Sequence, residues 1–175
     1  MKRSWLIWAP LAVFAFLGGI FLYGLTEPKD DYVRSHMIGK PLPAFNFPAA
    51  TDGIPALANT DFADGTPRML NLFGSWCTPC KAEAAMLEQL KAQGVEIHGI
   101  AINDTPEKVA EFLTDFGNPF VRIGSTDMAF QLQLGSSGVP ETFIIDGKGR
   151  IAYQHIGDIR ADDVQPLLEK WRALQ

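Results

Sequence analysis

Both cysteines of the chain lie in one pentapeptide, Trp76-Cys77-Thr78-Pro79-Cys80. Few folds can hold such a pair between the neighbours this one has. The apolar run Met69-Leu70-Asn71-Leu72-Phe73 precedes it and predicts a buried strand, while the helix formers from Lys81 to Lys91 predict a helix after it. The pair therefore sits on a strand-to-helix turn, with Cys77 at the helix mouth and Cys80 about one turn inside. Free N–H groups and the positive end of the helix dipole favour an anion at the first of these positions. The thiolate is the reactive form of cysteine, so this placement activates Cys77. Cys80 can reach back to close a disulfide, and Pro79 fits a first helical turn, where its missing N–H does no harm. A stapling disulfide is a poor alternative, because so short a loop removes little unfolded-state entropy. A zinc site lacks its second pair of ligands. Each cysteine alone could be a small buried hydrophobe, but their spacing at a helix mouth favours a redox couple.

The chain opens with Lys2 and Arg3 and then runs from Trp5 to Leu25 without a charge. That is about the length of a bilayer-spanning helix, and Trp5, Trp8 and Tyr23 lie near its ends, where such rings prefer the interface. The run is longer than the core of a typical secretory leader and has no clear small-residue cleavage site, so an uncleaved anchor is expected. Positive charge before the run and mixed charge after it, Glu27 to Asp31, place the N-terminus in the cytoplasm and the rest outside. In a Gram-negative cell that outside is the periplasm. The expected organisation is an anchor over 1–25, a tether over 26–38 and one folded domain over 39–175. A length of 175 residues and a hydrophobic content of 47% suit one domain with such an appendage. The net charge of -5 argues against a nucleic-acid partner.

Within the domain, Phe45 and Phe47 alternate between prolines as in a short edge strand, and a second short strand is expected near Ala56–Leu57. Strands are expected over about 68–73, 95–102, 120–123, 141–145 and 150–155, and helices over about 79–93, 105–116, 127–134 and 162–174. Asp146-Gly147-Lys148-Gly149 reads as a hairpin turn. The order β, motif, α, β, α, β, hairpin, α predicts an α/β fold with a central mixed sheet flanked by helices.

This pattern resembles thioredoxin. The resemblance rests on Trp76-Cys77-Thr78-Pro79-Cys80 after a strand and on Val139-Pro140-Glu141-Thr142-Phe143 before the hairpin, which looks like the thioredoxin cis-proline loop. It narrows to the membrane-anchored periplasmic thioredoxins of cytochrome c maturation, the CcmG/DsbE family. Gly39 to Phe45, Trp76 to Glu83, Gly138 to Asp146 and the late Gly157-Asp158 carry it. Gly135-Ser136-Ser137-Gly138 and Val139 depart from the family's common text at the cis-proline segment.

The resemblance implies a thiol:disulfide oxidoreductase with no cofactor beyond a redox-active Cys77–Cys80 disulfide. Its implied substrates are disulfides of apocytochrome c or of thiol proteins associated with the haem lyase. A membrane electron donor of the DsbD/CcdA type is the implied source of electrons. Cys77 is the expected attacking thiolate and Cys80 the resolving thiol. Pro140, if cis, would hold Val139 beside the cysteines, where its backbone could pair with an extended partner segment. Glu83, three residues after Cys80, reads from its own helix as a solvated glutamate; the family reading makes it a proton acceptor beside the thiol. Glu141 and Asp158 are ambiguous in the same way, while Trp76, Thr78 and Pro79 are expected to shield and tune the pair. A generic thioredoxin-like reductase or oxidant is one alternative. A copper chaperone is another, but no histidine joins the two thiols as a third ligand, and His98 lies in a strand pattern. A peroxidase of the peroxiredoxin type wants a different cysteine context.

Overall fold

The computed structural model describes residues 5–26 and 36–175. The basic start and most of the expected tether fall outside these residues. The chain divides into two units, Met1–Tyr32 and Val33–Gln175. The first contains helix α1 (Trp5–Thr26), with Pro10 inside it and Phe14, Phe16 and Phe21 largely exposed. Among the described residues no helix is long and apolar enough to cross a membrane.

The second unit begins with two short antiparallel strands, β1 (Asn46–Phe47) and β2 (Leu57–Ala58). Its main sheet holds β3 (Arg68–Phe73), β4 (Ile97–Ile102), β5 (Phe120–Thr126), β6 (Glu141–Ile145) and β7 (Ile151–Ile156), in the spatial order β5-β4-β3-β6-β7. β3 and β4 pair in parallel, as do β4 and β5; β6 runs antiparallel to β3, and β7 to β6. This is the mixed sheet expected from one βαβ run followed by a hairpin. Among its described residues the unit also holds the α-helices α2 (Thr78–Ala92), α3 (Pro106–Phe116), α4 (Ala129–Leu134) and α5 (Ala161–Arg172), and a short 3-10 helix over Asn59–Phe62.

β3 and β4 are buried at every position because both sheet faces are covered, and apart from Arg68, Asn71 and His98 their residues are apolar. On one face Phe73, Leu87, Leu90, Phe112 and Trp171 form a core in which α2 lies against α3 and α5. On the other, Leu70, Leu72, Ile100, Phe130 and Phe143 pack together with residues of the β1–β2 ribbon. The ribbon lies on β5 so closely that a Cβ at Gly124 would stand 2.9 Å from the Cβ of Phe47. Each such large side chain contributes about 1.5–3 kcal/mol on burial.

Several boundaries shift for local reasons. Phe45 stays out of β1 because its N–H donates to the Asn59 side chain at 3.1 Å. α4 starts at Ala129 rather than Asp127, since Asp127 Oδ1 accepts the Ala129 N–H at 2.9 Å in an Asx turn. β5 runs on to Thr126 because β4 pairs with it that far. The expected cap at Thr105, with Pro106 next, does open α3. His98 is structural, buried edge-on to Phe62, with Nε2 3.4 Å from Glu96 Oε1. Burial pulls its pKa down to about 4, against the opposing pull of Glu96.

Candidate active site

β3 delivers the chain to one end of the sheet, and Gly74 to Trp76 turn it into α2. Cys77 is the N-cap of α2: its backbone is extended, and its Sγ accepts the Cys80 N–H at 3.2 Å. Pro79 lies in the first turn, as expected from its missing donor. Cys77 and Cys80 are joined in a disulfide, with their Cα atoms 5.3 Å apart. Both are buried, while Thr78 and Pro79 are exposed. The N–H that reaches Cys77 Sγ is one of the orphan donors of the helix start, and it would stabilise a thiolate there once the bond is reduced.

Trp76 forms part of the rim, 53% exposed, and its indole N–H donates to the Ile102 carbonyl at 3.0 Å. The turn is also tied to the end of β4 through Asp104, whose carboxylate accepts the Ser75 N–H and, at 2.7 Å, the Ser75 hydroxyl. Asn103, just before it, adopts a positive φ of 48°, which asparagine tolerates better than most residues. Beside Trp76 an open groove of about 310 Å³ runs between Lys81 and the α3 residues Lys108, Phe112 and Phe116.

The Val139–Pro140 peptide bond is cis. Pro140 is buried, and its carbonyl accepts the Gly157 N–H at 3.1 Å. Gly157 has a φ of +90°, which a side chain would strain, so the Gly157-Asp158 turn is shaped to hold this loop. Val139 is half-buried and touches both cores. Glu141 is 1% exposed. One of its oxygens accepts the Ser137 N–H at 2.8 Å and the Ser137 hydroxyl at 2.6 Å, and the other accepts Gln154 Nε2 at 2.9 Å. It therefore pins the link between α4 and Pro140 from beneath. Asp158 is partly exposed and accepts Arg160 Nε at 3.2 Å.

Glu83 corrects the reading taken from its own helix. It is fully buried, because Cys80, Glu83, Leu87 and Leu90 share the face of α2 that packs on the sheet. Its Oε1 accepts Asn71 Nδ2 at 2.9 Å and its Oε2 accepts the Ile159 N–H at 3.0 Å. Burial pushes its pKa up to about 7; the two hydrogen bonds pull it down, and the nearby charge of Asp158 adds to the rise. A carboxyl so placed exchanges its proton near neutral pH, the range a thiol proton acceptor needs.

Asn71 and Asp104 are site residues that sequence reasoning missed. Asn71 left one signal, a lone polar residue inside an apolar strand run; Asp104 left none. Among the described residues no three His, Cys, Asp or Glu side chains converge as metal ligands.

The Redoxin family profile matches residues 37–169. The thiol:disulfide interchange protein DsbE of Yersinia pestis is 35% identical, covering 95% of this chain and 94% of its own length. DsbE of Pseudomonas fluorescens biotype C is 40% identical, covering 99% and 97%. The thiol:disulfide interchange protein HelX of Rhodobacter capsulatus is 33% identical over 93% and 95%. Among solved structures, a putative DsbE from Chlorobium tepidum superposes with a TM-score of 0.65 at 23% identity, over 77% of this chain and 94% of that one. That structure supports the thioredoxin-like fold. With the redox pair at the mouth of α2 and relatives aligned over nearly the whole length, the chain belongs to the Redoxin family and, within it, to the DsbE/HelX thiol:disulfide interchange proteins.

Proposed function

We propose that this chain is a membrane-tethered reductant that opens disulfides in apocytochrome c, or in the thiol proteins that deliver it, outside the cytoplasm. Thiol:disulfide interchange is its reaction. The observation that carries the reading is the Cys77–Cys80 disulfide at the N-terminus of α2, three residues before a fully buried carboxyl. In the reduced protein the Cys77 thiolate attacks one sulfur of the partner's disulfide. That bond breaks, the released partner sulfur takes a proton, and Cys77 holds the other in a mixed disulfide. Cys80 then passes its proton to Glu83 and attacks Cys77 Sγ. The Cys77–Cys80 bond forms as the bond from Cys77 to the partner breaks, the second partner sulfur takes a proton from water, and the partner leaves as a dithiol. Two electrons have moved to the partner, and a membrane thiol donor of the DsbD/CcdA type must return them.

The cytochrome assignment is supported by the DsbE and HelX relatives. A haem-attachment site must be a dithiol to react, and the periplasm is oxidising, so a dedicated reductant is needed there. The tether is supported by the uncharged run Trp5 to Leu25, which forms the helix α1, and by Lys2 and Arg3 ahead of it. The backbone of Val139, next to the cis proline, is the natural place for an extended partner segment to lie.

The test is trapping. Cys80→Ser should hold an oxidised C-x-x-C-H peptide on Cys77 as a stable mixed disulfide, while Cys77→Ser should hold none. A Cys77–Cys80 reduction potential of about -200 mV or lower supports the reductant; one near -120 mV would make the protein a disulfide donor instead.

A further inference from the structure

Within the buried strand β3, past Arg68 at its start, Asn71 is the one polar side chain among apolar ones, and it is fully buried. Its Nδ2 makes two bonds, to Glu83 Oε1 at 2.9 Å and to Thr142 Oγ1 at 3.0 Å. Its Oδ1 is buried and has no partner. An orphaned amide oxygen beside a carboxyl is informative. It is an acceptor held in reserve, and the same amide turned over would present it to Glu83.

The geometry points to Asn71 as a reversible partner that satisfies Glu83 in both of its protonation states by rotating its carboxamide about the Cβ–Cγ bond. When Glu83 is a carboxylate, Nδ2 donates to Oε1, the arrangement observed here. When Oε1 carries a proton, that O–H needs an acceptor, and a donor facing it is a misfit. A half-turn of the amide brings Oδ1 to the place of Nδ2. Oδ1 then accepts the Glu83 O–H, and the Thr142 hydroxyl turns from acceptor to donor toward the same oxygen. The Ile159 N–H stays on Oε2 throughout. In each orientation one end of the amide is left unpartnered, so neither state locks the other out. The other charge bearing on Glu83 is Asp158, which faces it from the turn between β7 and α5 and favours its neutral form.

The inference rests on the reading of Glu83 as the group that takes and returns the Cys80 proton. Asn71 touches neither sulfur and is a positioning residue. It lets a buried carboxyl change charge without stranding its own proton, and it carries the change to Thr142, two residues beyond the cis proline.

The experiment is an NMR titration of the full-length protein, reduced and oxidised, with ¹³C on the Glu83 carboxyl and ¹⁵N on the Asn71 amide. The first readout is the cross-relaxation between the Asn71 Nδ2 protons and the Thr142 side chain. It should be present above the Glu83 midpoint and lost below it, with the same midpoint as the Glu83 carbon shift. A field effect alone would move the amide shifts but leave that contact in place, and its persistence across the titration overturns the proposal. Asn71→Leu supplies the second readout. The substitution takes the donor from the carboxylate and the acceptor from the acid together, so the Glu83 midpoint should move by less than about a unit; a rise of about a unit or more is the mark of a fixed donor and also overturns the proposal. If Asn71→Leu does not fold, the native titration decides alone. Neither readout uses thiol exchange, so a failure here is separate from a failure of the trapping experiment.

Discussion

The Glu83 carboxyl accepts the backbone N–H of Ile159 at 3.0 Å, across 76 residues of sequence. One residue sits in the helix that carries the cysteines, and the other ends the turn that binds the Pro140 carbonyl through Gly157. The bond ties the two halves of the site together through the carboxyl proposed to take the Cys80 proton.

Glu83→Gln removes the proposed proton acceptor while keeping the shape. In the wild type the resolution of the mixed disulfide should accelerate as pH rises through about 7, where Glu83 becomes a carboxylate. In the variant that step should slow on the order of 100-fold at neutral pH and lose this inflection. Stopped-flow resolution of a preformed mixed disulfide measures it. An unchanged profile would remove Glu83 from the mechanism.

The same carboxyl and His98 set opposite slopes on stability. Glu83 binds its proton more tightly folded than unfolded, about 7 against 4.5. Its contribution is full below 4.5 and is lost as pH rises toward 7, about 3 kcal/mol in all. His98 is the reverse, about 4 folded against 6.5 unfolded. Its contribution is full above 6.5 and is lost as pH falls toward 4, by a similar amount of about 3 kcal/mol. Between about 4.5 and 6.5 the two should nearly cancel in the wild type. Denaturant unfolding of His98→Phe should then show stability rising as pH is lowered through that window, and Glu83→Gln should show it falling.

Gly147 carries the hairpin between β6 and β7 past Gly65. A Cβ added there would lie 2.4 Å from the Gly65 backbone, which cannot swing aside as a side chain can. Gly147→Ala should destabilise the domain by about 2 kcal/mol, the scale of overpacking. Its redox potential should stay put, because the clash lies at the hairpin and not among the groups around the disulfide. A calorimetric melt with no loss of stability would contradict this.

Gly74 lies under Trp76. A Cβ at that position would stand 2.7 Å from two atoms of the indole, so Gly74→Ala must push the ring off and break its bond to the Ile102 carbonyl. The expected result is a changed Trp76 fluorescence response to reduction of the disulfide, and faster access of small thiols to it. A variant with the parent's emission change would show that the indole does not hold this position in solution.

The redox turn, the parallel βαβ run and the hairpin were legible in the residues because each is written locally. Apolar periodicity, Pro79 in a first turn, the Thr105-Pro106 start and the Asp146-Gly147 turn depend on neighbours within a few positions. The character of the acids was not legible in this way. On its own helix Glu83 looks solvated, and Glu141 gives no local sign that it is 1% exposed. Burial depends on what packs over a side chain, and here that comes from far along the chain: Ile159 reaches Glu83 across 76 residues, and Thr142 reaches Asn71 across 71. By itself the sequence determined where a thiol pair would sit and that a helix would activate it. Only the tertiary structure decided that Glu83 lost its water and so moved its proton affinity toward neutrality, because desolvation belongs to the packed whole.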